Sequence, residues 1–435
     1  MSKIVVIGAG LTGLSTAMLL AHDGHQVTIF DPDPPPPPGG REWDDWERPG
    51  VAQFRLAHIM LPFWYRQMRT DLPSVLDTLD LAGGFRVNFA DLLPPAIRDG
   101  GRPGDDRFET LTARRPVLEA VFAAEAAGTP GLSICRGAKV SGLLADGGRI
   151  AGVRLADGAE QRADLVVDCG GRRSALPAWL MAAGFRRPAE ERDDAGFVYD
   201  GRHYQGDRPD LRGPLLQHHN SVSIITLPAD NDTWSVGFVA SGRDRAVRDL
   251  RDAARWEAAL SRYPAAAHWA AGKPLTGVDV IGGLADRWRT VTTPGVVAVG
   301  DAACCTNPSL GRGAGIGLRH ARLLRDHLRA TGGVEAGFTD RTAEVVEPLY
   351  RATYWFDRHR IAEIDADVAG VDYRPADPGW GAARALYGAA LHDPDAARVN
   401  LAAGLLLEQP TGAMAGGERY PLPGPDRAGL LAALA

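Results

Sequence analysis

Residues 3–31 read KIVVIGAGLTGLSTAMLLAHDGHQVTIFD, and the order of features within them decides the fold. Ile4 to Ile7 is an apolar, β-branched run without polar alternation, which predicts a strand covered on both faces. Gly8, Gly10 and Gly13 follow directly. In this pattern the first glycine makes the tight turn, the second admits a pyrophosphate to the backbone, and the third lets the next helix pack on the strand. Leu11 and Thr12 open that helix, whose N-terminal amides face the phosphates. Leu14, Ala17, Met18 and Ala21 form its inner face, Gly24 closes it, and Gln26 to Phe30 predicts a second buried strand. Asp31 ends the second strand 18 residues after Gly13, near the roughly 20-residue spacing of an acid that binds an adenosine ribose. Glycines alone would fit any strand-to-helix turn. The full order of strand, glycines, helix, strand and acid predicts a dinucleotide site.

The chain around this unit has 435 residues, enough for two or three domains. Its 45% hydrophobic and 23% charged content is that of an ordinary globular protein, and a net charge of -6 argues against nucleic acid or an anionic membrane as partner. Only Lys3, Lys139 and Lys273 of the 48 basic residues are lysine, which reads as a coding bias and not as a phosphate site. Cys135, Cys169, Cys304 and Cys305 are too few and scattered for a disulfide framework and contain no CxxC, which fits a reducing cytoplasm. No apolar run reaches the ~18 residues of a membrane span, so a soluble cytoplasmic protein is expected. No metal centre is expected, because His218 and His219 are adjacent and not at ligand spacing.

Beyond Asp31, the PDPPPPPGGREWDDWER loop leaves the sheet, and GVAQFRLAHIMLP carries Gln53, Arg55 and His58 as polar groups for a cavity. Leu72 to Phe89 predicts a helix running into a short strand. Thr112 to Ala127 is a helix with Pro116 near its start, and Arg114 and Arg115 at its N-terminus call for an anionic partner. Leu132 to Leu155 predicts a small meander, and Asp164 to Asp168 a second buried strand. From Pro188 to Gly282, runs such as SVSIITL and TWSVGFV predict an antiparallel sheet partly exposed on one face, with a helix at Ala246 to Leu260. In FVYDGRHY, Arg202 and Tyr204 share one strand face, and Tyr199 joins them only if Asp200-Gly201 bulges. GVVAVG at 295–300 restores the parallel texture, and the following helix leaves Arg319, Arg322, Arg325 and Arg329 on a solvated face. Helices and a Pro- and Gly-rich end follow.

Three Gly-punctuated strand ends in one order, GAGLTG, DLVVDCGGRRS and VVAVGDAACCTNPSLGRGAGIG, resemble the flavoprotein monooxygenases with the para-hydroxybenzoate hydroxylase fold, over roughly residues 3–328. The resemblance implies an α/β fold: a Rossmann-type FAD-binding domain (1–187 and 283–334, with 49–106 partly lining the substrate side), interrupted by an antiparallel β-sheet substrate domain (188–282), with a C-terminal helical region (335–435). It implies that Asp301, after Gly300, hydrogen-bonds the ribityl chain of FAD. Pro308, Gly311, Gly313, Ala314 and Gly315 then lie beside the flavin pyrimidine ring, where helix N-terminal amides stabilise negative charge. Arg115 touches the cofactor, Arg48 or Arg55 does likewise, and Val140 is counted with the cofactor-binding residues. At the middle motif the family's Asp-Gly pair is replaced by Gly170-Gly171 and the acid stands earlier, at Asp168. This is closer to the flavin epoxidases, halogenases and geranylgeranyl-type reductases. With no second GxGxxG, electrons from NADPH or NADH arrive either directly or through a separate flavin reductase. The halogenase branch lacks its lysine here, since only Lys3 occurs in the first hundred residues, and lacks WxWxIP.

The expectation is an FAD-dependent monooxygenase that hydroxylates or epoxidises an apolar or aromatic small molecule of secondary metabolism with O2, through a flavin C4a-(hydro)peroxide. His58, Tyr199 and Arg202 are the catalytic-side candidates. The alternatives are a flavin-dependent reductase of isoprenoid or polyene double bonds and a non-redox protein with structural FAD.

Overall fold

The computed structural model describes residues 1–93, 97–211, 214–408 and 422–435. The Pro- and Gly-rich end falls largely in 409–421 and lies outside the described residues. The first strand, Lys3–Ile7, sits at the centre of a five-stranded parallel sheet. Its neighbours are Gln26–Asp31, then Leu132–Arg136, on one side, and Leu165–Asp168, then Val296–Ala298, on the other. Ile4 to Ile7 are buried on both faces, as the unbroken apolar run requires. Helix Leu11–His22 covers one face together with Arg115–Ala127 and Gly313–Thr331, and Leu14, Ala17, Leu118, Phe122 and Leu324 interlock there. Val140 to Ala163 and helix Leu176–Ala182 supply the opposite layer, where the meander Val140–Asp146, Arg149–Leu155, Glu160–Arg162 packs on Val5 and Val166.

A second sheet of six antiparallel strands runs in the order Leu216–His218, Val222–Pro228, Thr233–Ser241, Phe197–Gln205, Lys273–Pro274, with Asp279–Gly282 also paired to Phe197–Gln205. One side carries Tyr204, Trp234, Val236 and Phe238 against Trp256 of helix Ala253–Leu260. The other carries Phe197 and Val239 against Ile361 and Ile364 of helix Glu347–Val368. All of Thr233–Ser241 is buried, and the exposure of the sheet is confined to edge positions such as Lys273–Pro274 and Val280. The C-terminal helices cover the Phe197 and Val239 face, a packing that strand alternation alone does not encode.

Two local expectations change, and one strand pairing is added. The helix at Ala246 to Leu260 is broken: a 3-10 turn, Arg245–Arg251, precedes Ala253–Leu260, whose amides Asp252 caps. Strand Ala189–Asp193 pairs with Asp286–Thr290, so the two chain segments flanking the six-stranded sheet are joined by hydrogen bonds. Arg322 and Arg325 do not form a solvated face, since both bind Asp71 and Arg325 is buried.

Candidate functional site

A single cavity of about 1310 Å³ runs from the first glycine loop, along the carboxyl ends of the parallel strands, to the six-stranded sheet and the C-terminal helices. This exceeds the ~300–1,000 Å³ typical of a site for one ligand. At the nucleotide end a Cβ on Gly13 would lie 1.9 Å from the Gly8 carbonyl oxygen, and one on Gly8, whose φ is +98°, would lie 2.6 Å from the Cys169 carbonyl oxygen. These two glycines are fixed by packing. Gly10 differs, because its φ of -84° suits any residue and a Cβ there would meet nothing within 4 Å. It leaves open space at the cavity wall, under a helix that begins at Leu11 with neither a side-chain cap nor an acid in its first turn. Gly10→Val is therefore expected to fold with an unchanged melting temperature and to lose at least about tenfold in FAD affinity, because the side chain fills the space the second glycine leaves for pyrophosphate. Unaltered affinity in a flavin titration would contradict this use of the loop.

The structure brings Gly8, Gly10, Leu11, Thr12, Gly13, Asp31, Arg48, His58, Arg115, Val140, Asp168, Gly170, Tyr199, Asp301, Pro308, Gly311, Gly313 and Ala314 to this one cavity. Gly300 and Gly315 stand behind it. A Cβ on Gly300 would press on Thr12 at 2.7 Å and one on Gly315 on Phe63 at 2.9 Å, so they serve helix-to-helix approach and not the cavity surface. Arg55 turns away to the carbonyls of Trp43, Asp44 and Trp46.

Arg202 is a correction. Strand Phe197–Gln205 pairs without a bulge, so Arg202 points to the side opposite Tyr199, where it binds Glu257 and the Thr276 carbonyl. Its neighbours are the Tyr204 and Trp256 rings, on the far side from the cavity.

The cations expected at the cofactor are already engaged by acids. Arg48, buried, binds Asp31 at 2.9 Å, Asp33 at 3.2 Å and Glu119. Burial works against its charge, and the three carboxylates outweigh that and hold its pKa above the ordinary value. Asp31 also accepts from the Ala9 and Asp33 amides and faces Arg136, so a ribose would share this carboxylate with two guanidinium groups. The anionic partners at the head of helix Arg115–Ala127 are protein groups: Asp230 takes the Arg114 side chain and amide, and Glu119 takes Arg115. His58 Nδ1 donates to the Leu56 carbonyl at 2.9 Å, which leaves Nε2 to accept from Arg115 at 3.2 Å. Burial, then Arg115, pushes His58 down to about 3. It stays neutral and orients Arg115, so it is a poor base near neutral pH.

On the strand Leu165–Asp168, Asp168 accepts from the Gly170 amide at 2.9 Å and from the Ser174 hydroxyl, while burial raises its pKa. Asp301 faces the cavity, and Arg287 and Arg172 tie its surroundings together by donating to the carbonyls of Asp301, Arg172, Ala285 and Thr306. Helix Gly313–Thr331 opens on the cavity without a cap or an acid in its first turn. The Tyr199 hydroxyl donates to Asn307, and burial, with Asp357 and Asp286 nearby, raises its pKa well above the usual phenol value.

Sequence reasoning missed what steadies the 308–312 loop. Ser309 binds buried Asp357, and Arg312 donates to the Ala403 and Gly404 carbonyls and to Thr353. It also missed Gly201 and Gly237, directly opposite one another in the sheet and both on the cavity wall. The available signal was a glycine inside each of two strong strands, which marks a close approach.

Residues 3–57 match the profile of the family described as FAD dependent oxidoreductase, and residues 118–195 match that described as tryptophan halogenase. Protein Rv3254 of Mycobacterium tuberculosis is 27% identical over 90% of this chain and 86% of its own. PqsL, a probable FAD-dependent monooxygenase from Pseudomonas aeruginosa, superposes with a TM-score of 0.64 at 18% identity, over 84% of this chain and 99% of that one. The myxobacterial chondrochloren halogenase CndH gives 0.63 at 18% identity, over 91% of each chain. The chain has the para-hydroxybenzoate hydroxylase fold. Its N-terminal motif is that of an FAD-dependent oxidoreductase, and the open Gly10 cradle and two uncapped helix starts at the cavity suit FAD. No helix among the described residues is long and apolar enough to cross a membrane, and no group of His, Cys, Asp or Glu among them is placed to hold a metal ion.

Proposed function

We propose that the protein is an FAD-dependent monooxygenase that hydroxylates or epoxidises an apolar or aromatic small molecule of secondary metabolism. The observation that carries this reading is the single cavity joining the nucleotide loop to an apolar chamber across the Pro308–Gly313 loop. In this reading the amides after Gly10 hold the pyrophosphate, Asp31 the adenosine ribose, Asp301 the ribityl chain, and the start of helix Gly313–Thr331 the pyrimidine edge. Bound FAD, once reduced by NADPH or NADH, would pass electrons to O2 and so supply the activated oxygen. The chain's own part is to exclude water from the chamber, orient Arg115 through His58 and Glu119, and hold the 308–312 loop through Asp357 and Arg312.

Halogenation is not favoured by the lysines. Lys139 is the one that lines the cavity, and it stands beside Val140 at the Asp31 end, where the Ala138 amide binds the Asp31 carbonyl. Product mass separates the remaining readings: oxygenation adds one oxygen atom from O2, whereas the reductase alternative adds two hydrogens. The electron source is NADPH or NADH, with a separate flavin reductase as the expected intermediary, because Gly170 replaces the family's acid and no second GxGxxG exists. Anaerobic mixing of FAD-loaded protein with NADPH should leave the flavin absorbance unbleached until a reductase is added. Fast bleaching by NADPH alone, quickened by substrate, would overturn the two-component reading.

A further inference from the structure

The sheet side of the cavity has an unusual floor. Tyr199, Gly201, Gly237, Ile225 and Leu216 lie on one face by strand parity, and Gly201 and Gly237 are register partners. Two opposed glycines leave the backbone bare, so the floor is flat where neighbouring positions carry side chains. From Gly201 across Gly237 and Ile225 to Leu216 is three strand spacings of about 4.8 Å, roughly 14 Å in all, longer than one aromatic ring. At the far end stands an aromatic wall: Trp380 meets Phe356 edge-on at 5.5 Å, and His218 lies 5.6 Å from Phe356 and 5.1 Å from Tyr387.

The charged side chains that line this half of the cavity, among the described residues of the sheet, the Pro308–Gly313 loop and the C-terminal helices, are few and engaged. Arg312 is capped by the Ala403 and Gly404 carbonyls, Arg384 is paired with Glu363, and Glu408 with Arg107. Asp279 is the remaining carboxyl; burial raises its pKa, and a hydrogen bond to Thr276 and the charge of Arg55 work the other way, so it too is already engaged. His218 is held neutral by burial and by Arg360. A ligand carrying a full charge would leave water without a counterion here.

We propose that the substrate is an uncharged, flat molecule of at least two fused or conjugated rings, lying on the Gly201–Gly237 floor and reaching the Trp380 wall. This rests on the monooxygenase reading for its consequence, but it is tested by binding. The probes are xanthone (neutral, flat, three rings), xanthone-2-carboxylate (anionic) and 9-aminoacridine (cationic), titrated calorimetrically into FAD-loaded protein. Xanthone should bind, and each charged probe should bind at least about tenfold more weakly. Gly237→Val, a mid-strand change whose Cβ would meet Ile225 at 3.3 Å, should weaken xanthone at least about tenfold and leave FAD affinity within about twofold. Ala383→Lys, on the wall helix Pro378–Ala389, should bring the carboxylate to within about twofold of xanthone, and serves if the first variant does not fold. The proposal fails if either charged probe binds as tightly as xanthone, if xanthone does not bind, or if Ala383→Lys and Gly237→Val leave the probe affinities unmoved. Failure of the protein to take up FAD would instead overturn the flavoenzyme reading.

Discussion

Replacing Arg48 by methionine is expected to destabilise the protein by about 3–5 kcal/mol, because it leaves three buried carboxylates short of their shared cation. The Arg48 side chain is 1% exposed, and those of Asp31, Asp33 and Glu119 are 5%, 7% and 0% exposed. Arg115 and Arg136 remain, but each reaches only one of the acids, Glu119 and Asp31 respectively. Arg41→Met is the control: its pair with Asp45 is 67% and 38% exposed, and such pairs contribute at most ~1 kcal/mol. Urea melts of the two variants measure the difference. A loss below ~1 kcal/mol for Arg48→Met would show that the cluster is looser than its geometry.

Ending the chain after Gly332 should have the larger effect and yield insoluble protein or protein without flavin. The removed helices bury Tyr350, Ile361, Ile364, Trp380 and Leu405 almost completely. At about 1.5–3 kcal/mol for each large apolar side chain, their loss is on the order of 10 kcal/mol, comparable with the whole stability of a domain. The sheet face at Phe197 and Val239 would lose its cover, and the 308–312 loop would lose Asp357, Thr353, Ala403 and Gly404. Expression and size-exclusion chromatography of the truncated chain test this. A soluble, yellow, monodisperse truncate would show the C-terminal helices to be dispensable.

The nucleotide half was legible because each of its signals is local. A continuous apolar run, three glycines at fixed spacing and an acid at the next strand end can each be read without knowing the rest of the fold, and the structure places them at one cavity. Helix Arg115–Ala127 was legible for the same reason, with Pro116 at its start. The substrate half was not, because it depends on which sheet face meets the cavity. Parity put Arg202 with Tyr204 and apart from Tyr199, and that relation holds, yet only tertiary packing decides that the Tyr199 face is the inner one. Burial is equally non-local. His58 reads as a polar cavity candidate in sequence, and only its enclosure beside Arg115 makes it a neutral acceptor. Asp357 gave no signal at all, since its partner Ser309 is 48 residues away.

The central claim is that the cavity's nucleotide end holds FAD, and it is tested most directly by identifying the flavin released when the purified protein is denatured. The Gly8–Gly13 loop and Asp31 call for a pyrophosphate and an adenosine ribose, so the expected result is a yellow protein that releases one non-covalent FAD per chain. Recovery of FMN, or of colourless protein that cannot be reconstituted with FAD, would contradict it.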